Sequence, residues 1–156
     1  MQKEQMSVAR LLSLGAVLLL LPVCVLADTT GAEDSILILD SLIKKSPSDF
    51  VAHLSLGELY MRMGIFKESE RFLRQARQLL PTSPKVNYLL GENSVRSNKI
   101  SDAVVYLEEC VRLDSSYVPA LASLAEITLM AHKDTASAAR YYNAILSYEP
   151  AHKQAL

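Results

Sequence analysis

Sliding the chain 34 residues along itself brings three segments into register. Residues 54–60, LSLGELY, fall on 88–94, YLLGENS, and these fall on 122–128, ASLAEIT. Leu56, Leu90 and Leu124 align, as do Gly57, Gly91 and Ala125, and then Glu58, Glu92 and Glu126. Further on, the same spacing groups Phe66, Ile100 and Asp134, then Ser69, Ala103 and Ser137. It also groups Leu73, Leu107 and Tyr141, and Ala76, Cys110 and Ala144. Pro81 closes the first unit, Ser115 stands there in the second, and Pro150 lies one residue late in the third. A fixed period of this length constrains the fold strongly. Each unit is too small to bury its own apolar face, so neighbours must stack around one continuous core.

Inside a unit, apolar residues recur at three- and four-residue steps, the spacing of a helix with one buried face. Leu56, Leu59, Tyr60 and Met63 make one such stripe, and Phe72, Leu73, Ala76, Leu79 and Leu80 make the next. Gly64 stands between them, where a positive φ costs glycine little and ends a helix. Ser83 can cap the following helix, with Pro84 in its first turn, where no amide donor is needed. A last helix is expected over about residues 135–148. The small residues Gly57, Ala76, Gly91, Cys110, Ala125 and Ala144 let paired helices approach closely. Cys110 is grouped with alanine in both neighbouring units, so it reads as a buried small apolar residue.

This pattern resembles the tetratricopeptide repeat, whose sequence runs L-G-x2-Y, then A-x3-F, then P over a period of about 34 residues. The resemblance implies an all-α fold, an α-solenoid of helix-turn-helix units. Three full repeats cover 50–83, 84–117 and 118–151, with a stub at 152–156. An N-terminal half repeat covers 28–49, with Leu39, Leu42 and Pro47 in the phase of a second helix.

Residues 1–27 read differently. Lys3 and Arg10 precede an uncharged run, LLSLGAVLLLLPVCVLA, that ends in Val25-Leu26-Ala27. A basic start, a short apolar core and small residues at a cleavage position describe a secretory signal peptide cut after Ala27. The expected location is therefore exported, periplasmic or secreted. Two alternatives remain at this stage. The run is just long enough for an uncleaved membrane anchor, and Cys24 could carry a lipid, although Val23 is larger than the residue that usually precedes a lipidated cysteine. Cleavage would leave Cys110 without an intramolecular disulfide partner.

Formal net charge is −1, which gives no basic surplus for nucleic acid. No metal or catalytic constellation is legible. His53, His132 and His152 are scattered, and phosphate loops, nucleophile elbows and C-x-x-C pairs are absent. The sequence therefore points to a non-enzymatic protein, with no cofactor and no small-molecule substrate.

The expected partner is a protein or peptide. By the resemblance, the first helix of each repeat lines a concave groove. That register gives Glu58, Met61, Arg62, Tyr88, Glu92, Val95, Arg96, Glu126 and Leu129 as groove residues, with Met130 beside them. Glu58, Glu92 and Glu126 form a carboxylate ladder, and Met61, Val95 and Leu129 an apolar strip. Arg62 and Arg96 follow the first two glutamates at the spacing for pairing along a helix. The Lys and Asn clamp of chaperone-binding family members is missing, because Leu54, Glu58, Tyr88, Glu92 and Ala122 stand there. Tyr141, Tyr142, Ile145 and Tyr148 make a possible C-terminal interaction patch, since the short AHKQAL segment would cover little of it. Self-association through that patch is an expectation. By the same resemblance, the cellular role would be assembly of an envelope complex. A membrane-anchored chaperone for pilus, secretion or cytochrome-maturation machinery is the alternative.

Overall fold

The computed structural model describes residues 31–131 and 133–148. The expected signal peptide at 1–27, with Cys24, lies outside the described residues, as do His132, Pro150 and the stub 152–156. The chain divides into two compact units between Ser41 and Leu42. Helix α1, residues 31–45, crosses that boundary. No described helix is long and apolar enough to cross a membrane.

Six further helices follow within the second unit. They are α2 (Phe50–Arg62), α3 (Phe66–Leu79), α4 (Pro84–Arg96), α5 (Ile100–Leu113), α6 (Val118–Met130) and α7 (Thr135–Tyr148). They pair as hairpins, α2 with α3, α4 with α5 and α6 with α7, and successive hairpins pack through α3 on α4 and α5 on α6. Residues 50–148 thus form an all-α solenoid of helical repeats.

Local chemistry sets the helix starts. Asp49 accepts the Ala52 amide at 3.0 Å, and Ser83 accepts the Val86 amide at 3.4 Å ahead of Pro84. Both contacts satisfy amides that have no partner within the helix. Between hairpins the same turn bonds recur. Leu80 N donates to Ala76 O and Asp114 N to Cys110 O, then Ser83 N to Leu80 O and Tyr117 N to Asp114 O.

Leu56, Leu90 and Leu124 are fully buried, as are Leu73 and Leu107. Their packing requires bare backbone opposite. A Cβ on Gly57 would lie 2.6 Å from Leu73 Cγ, and one on Gly91 2.6 Å from Leu107 Cγ. Neighbouring hairpins are also tied by polar contacts. Asn93 Nδ2 donates to Phe66 O at 3.1 Å, and Lys99 Nζ reaches Glu70 Oε2 at 2.8 Å. That lysine, together with Arg74, holds the Glu70 carboxyl below the usual carboxylate range.

The third hairpin departs from the fixed period. Helices α2, α4 and α6 start 34 residues apart, and so do α3 and α5, but α7 starts 35 residues after α5. The backbone locates the extra residue. The turns close with Ile65 N on Tyr60 O and Lys99 N on Ser94 O, then with Asp134 N on Thr128 O, one residue longer. Positive φ falls at Gly64, Asn98 and Lys133. The insertion therefore lies before Lys133. Ala138, not Ser137, is the buried counterpart of Ser69 and Ala103. The expected grouping of Asp134, Ser137, Tyr141 and Ala144 with the earlier units is thereby corrected by one residue, to Thr135, Ala138, Tyr142 and Ile145. The late Pro150 in the sequence agrees with the same shift.

Cys110 is buried, as expected, although its counterpart in the third hairpin is Ile145 and not alanine. Burial, reinforced by the charge of Asp114, pushes its thiol up to about 11. Only the thiolate attacks electrophiles. Iodoacetamide at pH 8 should therefore label the native protein at least about a hundredfold more slowly than the urea-unfolded protein; comparable rates would contradict the burial.

Candidate functional site: the face of α2, α4 and α6

The first helices of the three hairpins lie side by side, with α4 in contact with both α2 and α6. Residues at one helical position, spaced by the repeat, therefore line up across them. Glu58, Glu92 and Glu126 are such a row, but the structure treats them differently. Glu58 is half-buried and pairs with Lys85 Nζ at 2.6 Å, across the hairpin boundary. The expected pairs of Glu58 with Arg62 and Glu92 with Arg96 are absent among the described ion pairs. Arg62 is exposed, and the Arg96 guanidinium lies 5.0 Å from the centre of the Phe66 ring, a cation–π contact with the preceding hairpin. For Glu58 and for Arg96, a contact across a repeat boundary has won over the contact along the helix.

Met61 is not a groove residue. It is only 6% exposed and packs with Leu73, Ala76, Val86, Leu89 and Leu90, whereas its counterparts Val95 and Leu129 are 36% and 38% exposed. Its unbranched side chain is flexible enough to turn into the core, which the shorter valine and the branched leucine do not do.

Between α4 and α6 a cavity of about 260 Å³ opens, lined by Glu92, Val95, Ile100, Ser123, Glu126, Ile127, Met130 and Ala131. Three predicted residues, Glu92, Val95 and Glu126, come together there. Leu129 does not line the cavity, while Met130, 73% exposed, does. Ile100, Ser123, Ile127 and Ala131 were not anticipated. On α6 the lining residues Ser123, Glu126, Ile127 and Met130 follow one another at helical-face spacing, the signal that could have found them. Ile100 comes from the next helix, and only the hairpin places it there.

Tyr88 borders this face. It is half-buried, and its ring centre lies 5.3 Å from that of Tyr117. Burial first, and then the charge of Glu92, push its hydroxyl up to about 12, so it stays protonated at any ordinary pH. No group of three or more His, Cys, Asp or Glu side chains among the described residues could hold a metal ion. The arrangement can recognise, through an apolar surface and carboxylates.

The tyrosine patch is divided. Tyr141 is half-buried against the core of the last two hairpins, and Ile145 is half-buried. Tyr142 and Tyr148 are 44% and 45% exposed, and Tyr148 Oη donates to Ser115 Oγ at 3.2 Å.

Antiparallel hairpins repeated at this period, with small residues where the paired helices cross and leucines stacked between them, define a tetratricopeptide-repeat protein. Comparison with known proteins agrees. Residues of this chain are 29% identical over 83 positions to "TPR repeat-containing protein YpiA" of Bacillus subtilis, and 30% identical over 104 to "Protein O-mannosyl-transferase Tmtc3" of Drosophila melanogaster. Those stretches cover 53% and 67% of this chain but only 20% and 11% of the relatives. MamA from Desulfovibrio magneticus RS-1 superposes with a TM-score of 0.71 at 18% identity, over 81% of this chain and 71% of the other. YrrB, described as having an unusual peptide-binding site, superposes at 0.68 and 20% identity, over 84% and 67%. The first such domain of Spaghetti, solved with the HSP90 peptide SRMEEVD, superposes at 0.61 and 20% identity, over 65% and 79%. No protein-family model matches the chain.

Proposed function

We propose that this protein is a non-enzymatic scaffold that binds a segment of a partner protein along the face formed by α2, α4 and α6. The observation that carries the reading is the cavity between α4 and α6, an apolar hollow bordered by Glu92 and Glu126. Apolar pockets with a few polar groups at their edge are how grooves select side chains of a bound peptide. The peptide-binding site described for YrrB and the peptide complex of Spaghetti support binding as the use of this fold. The chaperone-tail chemistry of Spaghetti's ligand does not transfer, because carboxylates here occupy positions at which an acidic tail would be repelled.

The signal-like N-terminal sequence favours export, and with it a role in assembling a cell-envelope complex. Retention of that segment would instead make the protein a membrane-anchored assembly chaperone. Affinity capture from the native envelope tests the binding role. The wild type should retain partners that a Glu58→Gln, Glu92→Gln, Glu126→Gln variant loses. Identical partner sets would remove the carboxylate row from the binding face. The intact mass of the exported chain separates cleavage from anchoring, since a mass beginning at Asp28 excludes retention.

A further inference from the structure

Building on groove binding as proposed above, we infer that the α4–α6 interval accepts a cationic side chain, Lys or Arg, from a peptide with an aliphatic residue beside it. The three aligned carboxylates are not equivalent. Glu58 is answered by Lys85, but the position of Lys85 is held in the next repeat by Pro119, which offers Glu92 no charge. Arg96 lies over Phe66, and Lys99 is bound to Glu70. Glu126 has Met130 where a pairing arginine would stand. Among the described residues no cation lies within 4.0 Å of either Glu92 or Glu126.

These two uncompensated carboxylates share one hollow with Val95, Ile100, Ile127 and Met130. At about 260 Å³ the hollow is smaller than an ordinary small-molecule pocket of roughly 300–1,000 Å³ and suits a long side chain. A lysine or arginine matches both of its features. The aliphatic stem lies along the apolar wall while the charged head meets the carboxylates. An acidic side chain would meet like charge.

The test is selection of a random displayed peptide library on the full chain, followed by titration of the enriched peptides. Lys or Arg next to Leu, Ile, Val or Met should be enriched. Affinity for such a peptide should fall about tenfold or more in Glu92→Gln/Glu126→Gln, stay within about twofold in Glu68→Gln, a change on α3 away from that face, and weaken as salt is raised. Glu126→Lys, a change at an exposed position that the fold tolerates, should weaken it at least as much. Enriched peptides without a cation would overturn this inference and leave groove binding standing. Cationic peptides that bind the Gln and Lys variants as well as wild type would also overturn it. Failure to enrich any peptide would sink groove binding as well.

Discussion

Leu90→Ala is expected to cost about 2–5 kcal/mol, a large share of the roughly 5–15 kcal/mol that holds a domain folded. Leu90 is fully buried and packs with Met61 and Leu73 of the preceding hairpin as well as Val86 and Leu89 of its own helix. In a repeat array each interface joins only neighbours, so a side chain that touches two hairpins supports both the unit and the stack. The cavity left by truncation cannot close without moving one hairpin against the other. Urea denaturation should show a lower midpoint with an unchanged slope. Leu129→Ala, at a 38%-exposed position of α6, should change stability by no more than about 0.5 kcal/mol. If the two variants unfolded at the same urea concentration, the inter-repeat core as described here would be wrong.

Gly91→Ala sets two effects against each other. Alanine is the better helix former by about 0.8–1.0 kcal/mol, which alone would stabilise α4. The new Cβ, however, would stand 2.6 Å from Leu107 Cγ and 2.8 Å from its Cδ2, and overpacking of a core costs about 1–3 kcal/mol. The clash should win, leaving a net loss of about 0.5–2 kcal/mol by thermal or urea melts. The cause can be isolated with Leu107→Ala. That truncation should cost less in the Gly91→Ala background than in wild type, a coupling of about 0.5–3 kcal/mol in the double-mutant cycle. Strict additivity would exclude the clash. The third hairpin shows the alternative solution. Ala125 replaces glycine, and the register-matched partner is Tyr142, which is 44% exposed where leucine is buried in the other hairpins.

The helices, their pairing and the leucine layers were legible because each follows from spacing alone. Leu56, Leu90 and Leu124 repeat because burial repeats. The face of α2, α4 and α6 was only partly legible, for physical reasons specific to each residue. Position predicted that Met61 would behave like Val95 and Leu129, but a long flexible side chain chose the core. Spacing along one helix predicted Glu58 with Arg62, yet Lys85, distant by sequence, stands nearer in space. Ile100 enters the cavity from a second helix that no single-helix pattern includes. The insertion before Lys133 left two traces in the sequence, the late Pro150 and Asp134, whose carboxylate accepts the Ser137 amide at 3.0 Å and caps the helix one position later than the period predicts.

That insertion matters to anyone who extends this array by engineering. A module grafted beyond Tyr148 by counting from the earlier units would arrive one position early, about 100° around its axis, and would present polar side chains to the joint. The phase has to be taken from the Lys133 turn and the buried Ala138. Deleting a single loop position would return the third hairpin to the spacing of the others and make it interchangeable with them.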